Sequence, residues 1–207
     1  MRGKVLVEPD AARRFSTLVT VNHAAVKGPQ TEGVLRPFGD RVSSYPEMPV
    51  FEPTTTSAVV ESRWTMNGSV TYEQTVAFTD LHVERHATPG DGNATIDGRE
   101  LVVEPRVRFS MPGARVQGLS GVYYFRGRQD EAIDLFGGGA FDDRTDTVAA
   151  FAEVAVTVPR DVELTIGGRI ERENRNRAGT DGPFTIDLDE TYTVFSPKLG
   201  IRGGATH

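Results

Sequence analysis

Residues 162–171 read Val-Glu-Leu-Thr-Ile-Gly-Gly-Arg-Ile-Glu, and this stretch decides the fold class. Every second position is apolar or glycine, and the positions between carry mostly charged or hydroxyl side chains. Side chains of a β-strand alternate between two faces, so the pattern predicts a strand with one apolar and one polar face. Residues 101–110 repeat the pattern, with Glu104, Arg106 and Arg108 on the polar side.

The same alternation recurs along the whole chain, whereas apolar residues at helical spacing are nearly absent. The fold class predicted is therefore all-β, with about nine strands. The predicted strands are residues 3–7, 15–23, 57–64, 69–83, 101–110, 115–129, 145–158, 162–171 and 192–202.

The connections between these strands are of two kinds. Tight turns are predicted at residues 9–11, 66–68, 112–114 and 159–161, where Pro, Asn, Asp and Gly cluster. Longer polar segments occupy residues 24–56, 87–98, 130–144 and 175–190. This alternation is typical of an antiparallel up-and-down sheet with its tight turns at one end.

The predicted strand length favours a membrane. Strands of about ten to fifteen residues exceed the usual five or six, and tilted strands cross a bilayer in about nine to eleven. We therefore expect a segment of a transmembrane β-barrel, with the apolar face toward lipid and the polar face toward the lumen. A soluble β-sandwich or solenoid, with its apolar face covered by a second sheet, is the alternative.

Two sets of side chains follow from the barrel interpretation. The charged polar-face residues are expected to face the lumen: Glu104, Arg106, Arg108, Glu153, Glu163, Arg169 and Glu171. Aromatic residues near strand ends are expected to form a girdle at the membrane interface: Phe15, Trp64, Phe109, Tyr123, Phe125, Tyr192 and Phe195.

Composition excludes several classes of function. The 207 residues carry a net charge of −6, which argues against general nucleic-acid binding. Cysteine is absent and the four histidines are scattered, so we expect neither a thiolate nor a histidine-rich metal site. No catalytic constellation is recognisable: Glu153 and Glu163 fit a glycosidase pair poorly beside so many arginines. We expect no cofactor and no enzymatic activity.

Three segments resemble the barrel of TonB-dependent outer-membrane receptors. Residues 103–107 are similar to the family's Glu-x-Arg-hydrophobic strand. Residues 150–153 followed by 164–173 match its aromatic-small-acidic … Leu-Thr-x-Gly-x-Arg hairpin, and residues 195–201 resemble its Phe-Ser-Pro-Lys-Leu-Gly strand opening. The order and spacing of the three make the match specific over about residues 99–202.

The resemblance implies a barrel of about 22 strands, plugged by an N-terminal domain, in the outer membrane of a Gram-negative bacterium. We expect residues 1–207 to be an internal piece of that barrel, without signal peptide, plug, TonB box or terminal strand. The family's partners would be outer-membrane lipid, the plug, the TonB complex and a small ligand such as a ferric siderophore.

Ligand contacts are expected in the long segments, which the resemblance places outside the cell. Residues 130–146 are acidic, and arginines open the segment that begins at 175. The candidates are Asp142, Asp143, Arg175 and Arg177. Two other functions remain open, a soluble carbohydrate-binding module or hydrolase and a small structural or adhesive outer-membrane barrel.

Overall fold

The computed structural model describes residues 1–9, 14–29, 35–42, 49–87, 92–111, 113, 115–134, 137–159 and 162–203. Besides a single 3₁₀ turn at Phe38–Asp40, the elements are strands. They are β1 (Arg2–Val7), β2 (Phe15–Ala25), β3 (Gly28–Pro29), β4 (Val50–Asn67), β5 (Val70–His86), β6 (Asn93–Ser110), β7 (Val116–Asp134), β8 (Gly139–Val158), β9 (Val162–Asp181) and β10 (Phe184–Gly203). Among the described residues, no helix is long and apolar enough to cross a membrane.

All strands belong to one antiparallel sheet. The order is β1-β2-β4-β5-β6-β7-β8-β9-β10, so successive long strands are neighbours, and the two-residue β3 pairs with β4. The all-β, up-and-down prediction is confirmed, and each of the nine predicted strands lies on one of these long strands. At the turn between β4 and β5, the Asn67 side-chain oxygen accepts hydrogen bonds from the amides of Ser69 and Val70, each 2.9 Å long. The turn residues 10–11, 112, 114 and 160–161 lie outside the described part of the chain.

The long-loop prediction is wrong at three of its four positions, because the strands continue through them. Residues 93–98, 130–134 and 139–144 are strand, as are 175–181 and 184–190. The connections shrink to residues 87–92, 135–138 and 182–183, and only residues 26–49 form a long excursion. Residues 175–181 are polar on both faces, so the two-residue alternation that marks a strand is invisible there. Residues 184–190 do alternate, with Phe184, Ile186 and Leu188 on one face, and the sequence prediction missed that signal.

Burial distinguishes the two faces of the sheet. Directly paired residues share a face, so the register assigns every strand residue to one side. The buried side chains on described strands all project from the polar face, which is therefore the sheltered side: Thr20, Val83, Thr147, Ala149 and Ala155. Apolar side chains of the opposite face are exposed, as at Ile166 (63%), whereas Ala149 on the polar face is 1% exposed. We call the sheltered side the inner face and the other the outer face.

The exposed apolar side chains of β7, β8 and β9 belong to a band on the outer face, whereas Phe184, Ile186 and Val194 of the edge strand β10 are exposed on the inner face. The band covers Leu101–Phe109 of β6, Val116–Tyr124 of β7, Val148–Val158 of β8 and Val162–Ile170 of β9. About ten residues rise roughly 34 Å along a strand, hence about 24 Å at a 45° tilt, which matches the apolar band of a membrane barrel. A soluble sandwich would cover this band with a second sheet, and the described strands form one sheet only.

Four of the seven aromatic residues expected in the girdle lie on the outer face, as a girdle requires. Phe15 and Trp64 are direct partners on the outer face, and Trp64 also pairs with Tyr72. Phe109 and Phe195 lie on the same face. Tyr123, Phe125 and Tyr192 were placed in the girdle wrongly, because the register turns them to the inner face.

Candidate functional site on the inner face

The seven charged residues expected to line a lumen share the inner face. Arg106 is paired with Glu73 of β5 and Gly121 of β7, and Phe151 of β8 is paired with Arg169 of β9. Following these pairs across the sheet gives one face for all seven: Glu104, Arg106, Arg108, Glu153, Glu163, Arg169 and Glu171. Their common side is confirmed, and their lumen role remains a prediction.

Ion pairs connect these residues into a ladder at the level of the apolar band. Glu73 accepts hydrogen bonds from the Nε atoms of Arg106 (2.7 Å) and Arg108 (2.9 Å). Arg169 donates to Glu171 from Nε (2.9 Å) and lies over the Tyr123 ring, 5.0 Å from its centroid. Opposite charges therefore lie beside one another on the inner face.

The second and third motif segments lie close together on neighbouring strands. Phe151, Ala152 and Glu153 of β8 lie opposite Arg169, Gly168 and Gly167 of β9. A Cβ atom at Gly167 would come within 2.8 Å of the Ala152 carbonyl oxygen, so glycine permits the close pairing. Lys198, from the third segment, reaches Glu153 at 2.5 Å. Glu153 and Glu163 are not paired across the strands, so the register offers no glycosidase-like arrangement.

A concavity of about 460 Å³ opens higher on the inner face, beyond the level of the apolar band. Residues from β4 to β9 line it, among them Glu100, Phe125, Gln129, Asp143, Arg175 and Arg177. Three of the four candidate ligand contacts thus lie together in one place.

Two arginines in the concavity have different surroundings. Arg177 donates from Nη1 to Asp143 (2.9 Å) and from Nη2 to Glu131 (3.0 Å), and it lies 5.1 Å from the centroid of the Phe141 ring. The hydrogen bond to Asp143, aided by Glu131, raises the pKa of Arg177 and fixes its position. Arg175 is exposed and forms no ion pair with any described residue. Its guanidinium is therefore available to an anionic group.

The location of the four candidates in extracellular loops is wrong. Asp142 and Asp143 lie on β8, and Arg175 and Arg177 lie on β9, all inside the ladder of paired strands. Asp142 also faces the opposite way: it is on the outer face, where Arg144 binds it at 2.9 Å. That hydrogen bond holds the pKa of Asp142 below its usual range.

Sequence reasoning did not single out Glu131, Gln129 and Phe141 as site residues. Glu131 and Asp143 are the carboxylates that hold Arg177, and Gln129 lies beside them. Glu131 and Phe141 fell in a segment interpreted as an acidic loop, and Gln129 was the last residue of the predicted strand before it. Had strands been extended by their two-residue period to residue 134, Gln129 and Glu131 would have fallen on the same face as Phe125.

A second titratable group lies on the outer face. Nδ1 of His82 is 2.7 Å from Asp97 Oδ1, and its Nε2 is 3.2 Å from Glu84 Oε1. The hydrogen bond with Asp97, followed by that with Glu84, raises the pKa of His82. No group of three or more metal-ligating side chains with suitable geometry is found among the described residues.

Comparison with solved structures identifies the fold. The chain superimposes on the ferric yersiniabactin uptake receptor FyuA from Yersinia pestis (TM-score 0.73, 14% identity, 93% of this chain). It superimposes equally well on the ferric citrate transporter FecA (0.76, 13% identity, 99%) and on the siderophore receptor PiuA from Acinetobacter baumannii (0.74, 8% identity, 99%). No protein-family model matches the chain.

The chain spans 33% of FyuA, 33% of FecA and 39% of PiuA, that is, between a third and two fifths of each receptor. Each of the three is named as a receptor or transporter. The resemblance seen in the three sequence segments is confirmed for the fold. The described strands have the fold of a section of these receptors.

Proposed function

We propose that the chain is part of an outer-membrane receptor of a Gram-negative bacterium. The receptor would import a scarce nutrient, and a ferric siderophore is the first candidate. The observation that carries this proposal is the inversion of the two faces: the apolar face is exposed and the charged face is sheltered. Lipid on one side and a polar lumen on the other require that arrangement. The solved receptors with this fold are named for iron complexes.

The ladder of charges on the inner face would face a plug domain. Glu73, Arg106, Arg108 and Glu153 present carboxylates and guanidinium groups along a wall at membrane level. Such groups would hold the plug against the wall by hydrogen bonds and ion pairs rather than by an apolar core. A polar contact of this kind suits a domain that must move away from the wall. Energy would come from the TonB complex acting on that plug, and residues 1–207 would contribute wall only.

The concavity would contact the ligand. Arg177 is held by two carboxylates, so it shapes the wall, whereas Arg175 keeps an unpaired guanidinium in the same cavity. A guanidinium binds carboxylates in a bidentate geometry, and a charge-assisted hydrogen bond contributes about 1.5–3 kcal/mol. The ligand favoured by this chemistry carries a carboxylate or another oxyanion.

Uptake of radioactive iron by iron-starved cells tests the proposal. A strain lacking the gene is complemented with the wild type, with Arg175→Gln or with Arg172→Gln, and offered ferric citrate, a ferric hydroxamate and a ferric catecholate separately. Arg172 lies on the same strand but on the outer face, so it is a matched control.

We expect one complex to be taken up only with the wild-type gene. Arg175→Gln should raise its half-saturating concentration roughly tenfold or more, and Arg172→Gln should leave it unchanged. Uptake of all three complexes without the gene would contradict the iron-receptor function. Equal uptake by Arg175→Gln and Arg172→Gln would contradict only the proposed role of Arg175 and would leave the iron-receptor function standing.

A further inference from the structure

The concavity holds a second unpaired charge, opposite in sign to that of Arg175. Glu100 of β6 is exposed and lines the concavity, and its carboxylate forms no hydrogen bond or ion pair with any described residue. Arg175 likewise lacks such a partner within the part of the chain that the structure describes. A carboxylate and a guanidinium therefore face one space, and each can bind a ligand group of opposite charge.

The register places the two charges at opposite ends of one row across the sheet. Glu100 is the direct partner of Gly127 on β7. Gly127 pairs with Thr145 on β8, and Thr145 pairs with Arg175 on β9. Neighbouring strands are about 4.8 Å apart, so the backbones of β6 and β9 are about 14 Å apart. A ligand that bridges the row therefore needs its two charged groups at separate ends.

The floor between the charges is small and partly apolar. Gly127 has no side chain, and a Cβ atom there would lie 3.0 Å from Cζ of Phe125, so the Phe125 ring covers this position. Gly98 also lines the concavity, and a Cβ atom there would meet Leu81 only at an ordinary 3.6 Å. Packing therefore does not require glycine at residue 98, and the absent side chain leaves space in a cavity whose volume is typical of small-molecule sites.

The balance of charge in the concavity disfavours a strongly anionic ligand. Arg177 is already bound by Asp143 and Glu131. Glu190 of β10 stands opposite Arg175, and no ion pair joins the two. Because a bound ligand and its site have complementary potentials, the concavity matches a complex that carries both signs of charge and little net charge. The charged inner-face residues that line it are two acids and two arginines: Glu100, Asp143, Arg175 and Arg177.

We propose that the concavity binds an amphoteric iron complex, with Glu100 accepting hydrogen bonds from a cationic group of the ligand and Arg175 donating to an oxyanion. A linear ferric trihydroxamate with an ammonium group at one end and a carboxylate at the other has this chemistry. Its three hydroxamate groups neutralise the ferric ion, so the two ends supply the remaining charges. The inference rests on the proposed receptor function, and it adds the cationic group and the residue that binds it.

The test measures the affinity of the protein that carries this chain, purified in a neutral detergent, by isothermal titration calorimetry. The probes are three forms of one linear ferric trihydroxamate: with both charged ends, with the amine acetylated, and with the carboxylate converted to a carboxamide. The variant is Glu100→Gln. The matched control is Glu61→Gln, which removes the same charge from an exposed inner-face position of β4 outside the concavity.

We expect the wild type to bind the form with both charges roughly tenfold more tightly than the acetylated form, because a charge-assisted hydrogen bond is lost on acetylation. Glu100→Gln should weaken binding of the form with both charges roughly tenfold and leave the affinity for the acetylated form unchanged. An unchanged affinity for the acetylated form also shows that the variant is folded. Glu61→Gln should match the wild type with every probe.

Equal affinities of the wild type for the charged and the acetylated forms would overturn the inference. So would a loss of the same size for both forms in Glu100→Gln, or failure of the wild type to bind any of the three probes. The receptor function would still stand in these cases if iron-starved cells take up another iron complex only with this gene. Uptake that does not depend on the gene would instead contradict the receptor function, so the two failures are distinguishable.

Discussion

His82 shows how a single side chain senses pH at the outer end of the sheet. When protonated, its ring donates to Asp97 on β6 and to Glu84 on its own strand, while Thr54 faces it without charge from β4. Both carboxylates favour the charged imidazole, with Asp97 the larger influence, so the pKa of His82 is raised. The two hydrogen bonds therefore stabilise the folded chain fully below the usual histidine pKa. This stabilisation is lost as the pH rises through the raised pKa of His82.

We predict that the NMR titration of the His82 ring has a midpoint above that of an ordinary histidine. Asp97→Asn should lower the midpoint, because the hydrogen bond that contributes most would lose its charge. A midpoint that Asp97→Asn leaves unmoved would contradict the assigned contact.

Gly121 is a residue whose absent side chain is required by the packing. A Cβ atom there would lie 2.5 Å from the Phe151 ring and 2.7 Å from the carbonyl oxygen of Pro105. The ring can move but the backbone oxygen cannot, so we predict that Gly121→Ala lowers the free energy of unfolding by about 1–3 kcal/mol. Gly3→Ala, with nothing within 4 Å, is the control. Urea titration in lipid vesicles measures both, and equal stabilities would refute the packing argument.

At the scale of elements, the outer ends of β7 and β8 extend beyond the sequence prediction. Residues 130–134 and 139–144 are paired in register, for example Glu131 with Phe141 and Gln129 with Asp143. We predict that their ladder amides exchange hydrogen slowly, on the scale of the membrane-level amides of the same strands. Exchange within seconds at residues 130–144 would restore the loop interpretation.

The sequence predicted the number and order of the long strands but not their outer limits. Alternation at 101–110 and 162–171 arises because one face meets an apolar medium and the other does not. Beyond Ile170 and Val148 both faces are polar, so Arg175, Arg177 and Asp143 carry no periodic signal although they are on strands. The concavity could not be predicted, since it depends on pairing across several strands.

Sequence reasoning assigned the motif residues to the correct face, because close strand pairing constrains them. It did not do so for every loop candidate, because those residues are less constrained. Glu153, Arg169 and Gly167 are fixed by close pairing between β8 and β9, where a Cβ atom at Gly167 would not fit. Asp142 is bound only by an exposed arginine on the outer face, and nothing in the sequence distinguished it from Asp143. Residue type alone does not reveal on which face a carboxylate lies.

At the scale of the whole molecule, one sheet leaves its apolar face uncovered. Ile166, Phe195, Leu199 and Ile201 are 63–81% exposed, while the buried residues are on the charged side. In water, such a surface would drive association of the chain. Lipid around the outer face would prevent this association. It would also make a charge on the outer face far more destabilising than a charge on the inner face.

The comparison of Ile166→Arg with Thr165→Arg tests this account most directly. Ile166 lies in the middle of the apolar band between Val154 and Leu199, and its neighbour Thr165 faces the other way, beside Gly200. Urea unfolding of the protein that carries this chain, reconstituted in lipid vesicles, measures both. We predict that Ile166→Arg lowers the free energy of unfolding by about 2–4 kcal/mol and that Thr165→Arg changes it by less than about 1 kcal/mol. Two changes within about 0.5 kcal/mol of zero, as for residues exposed to water, would contradict the membrane-facing assignment.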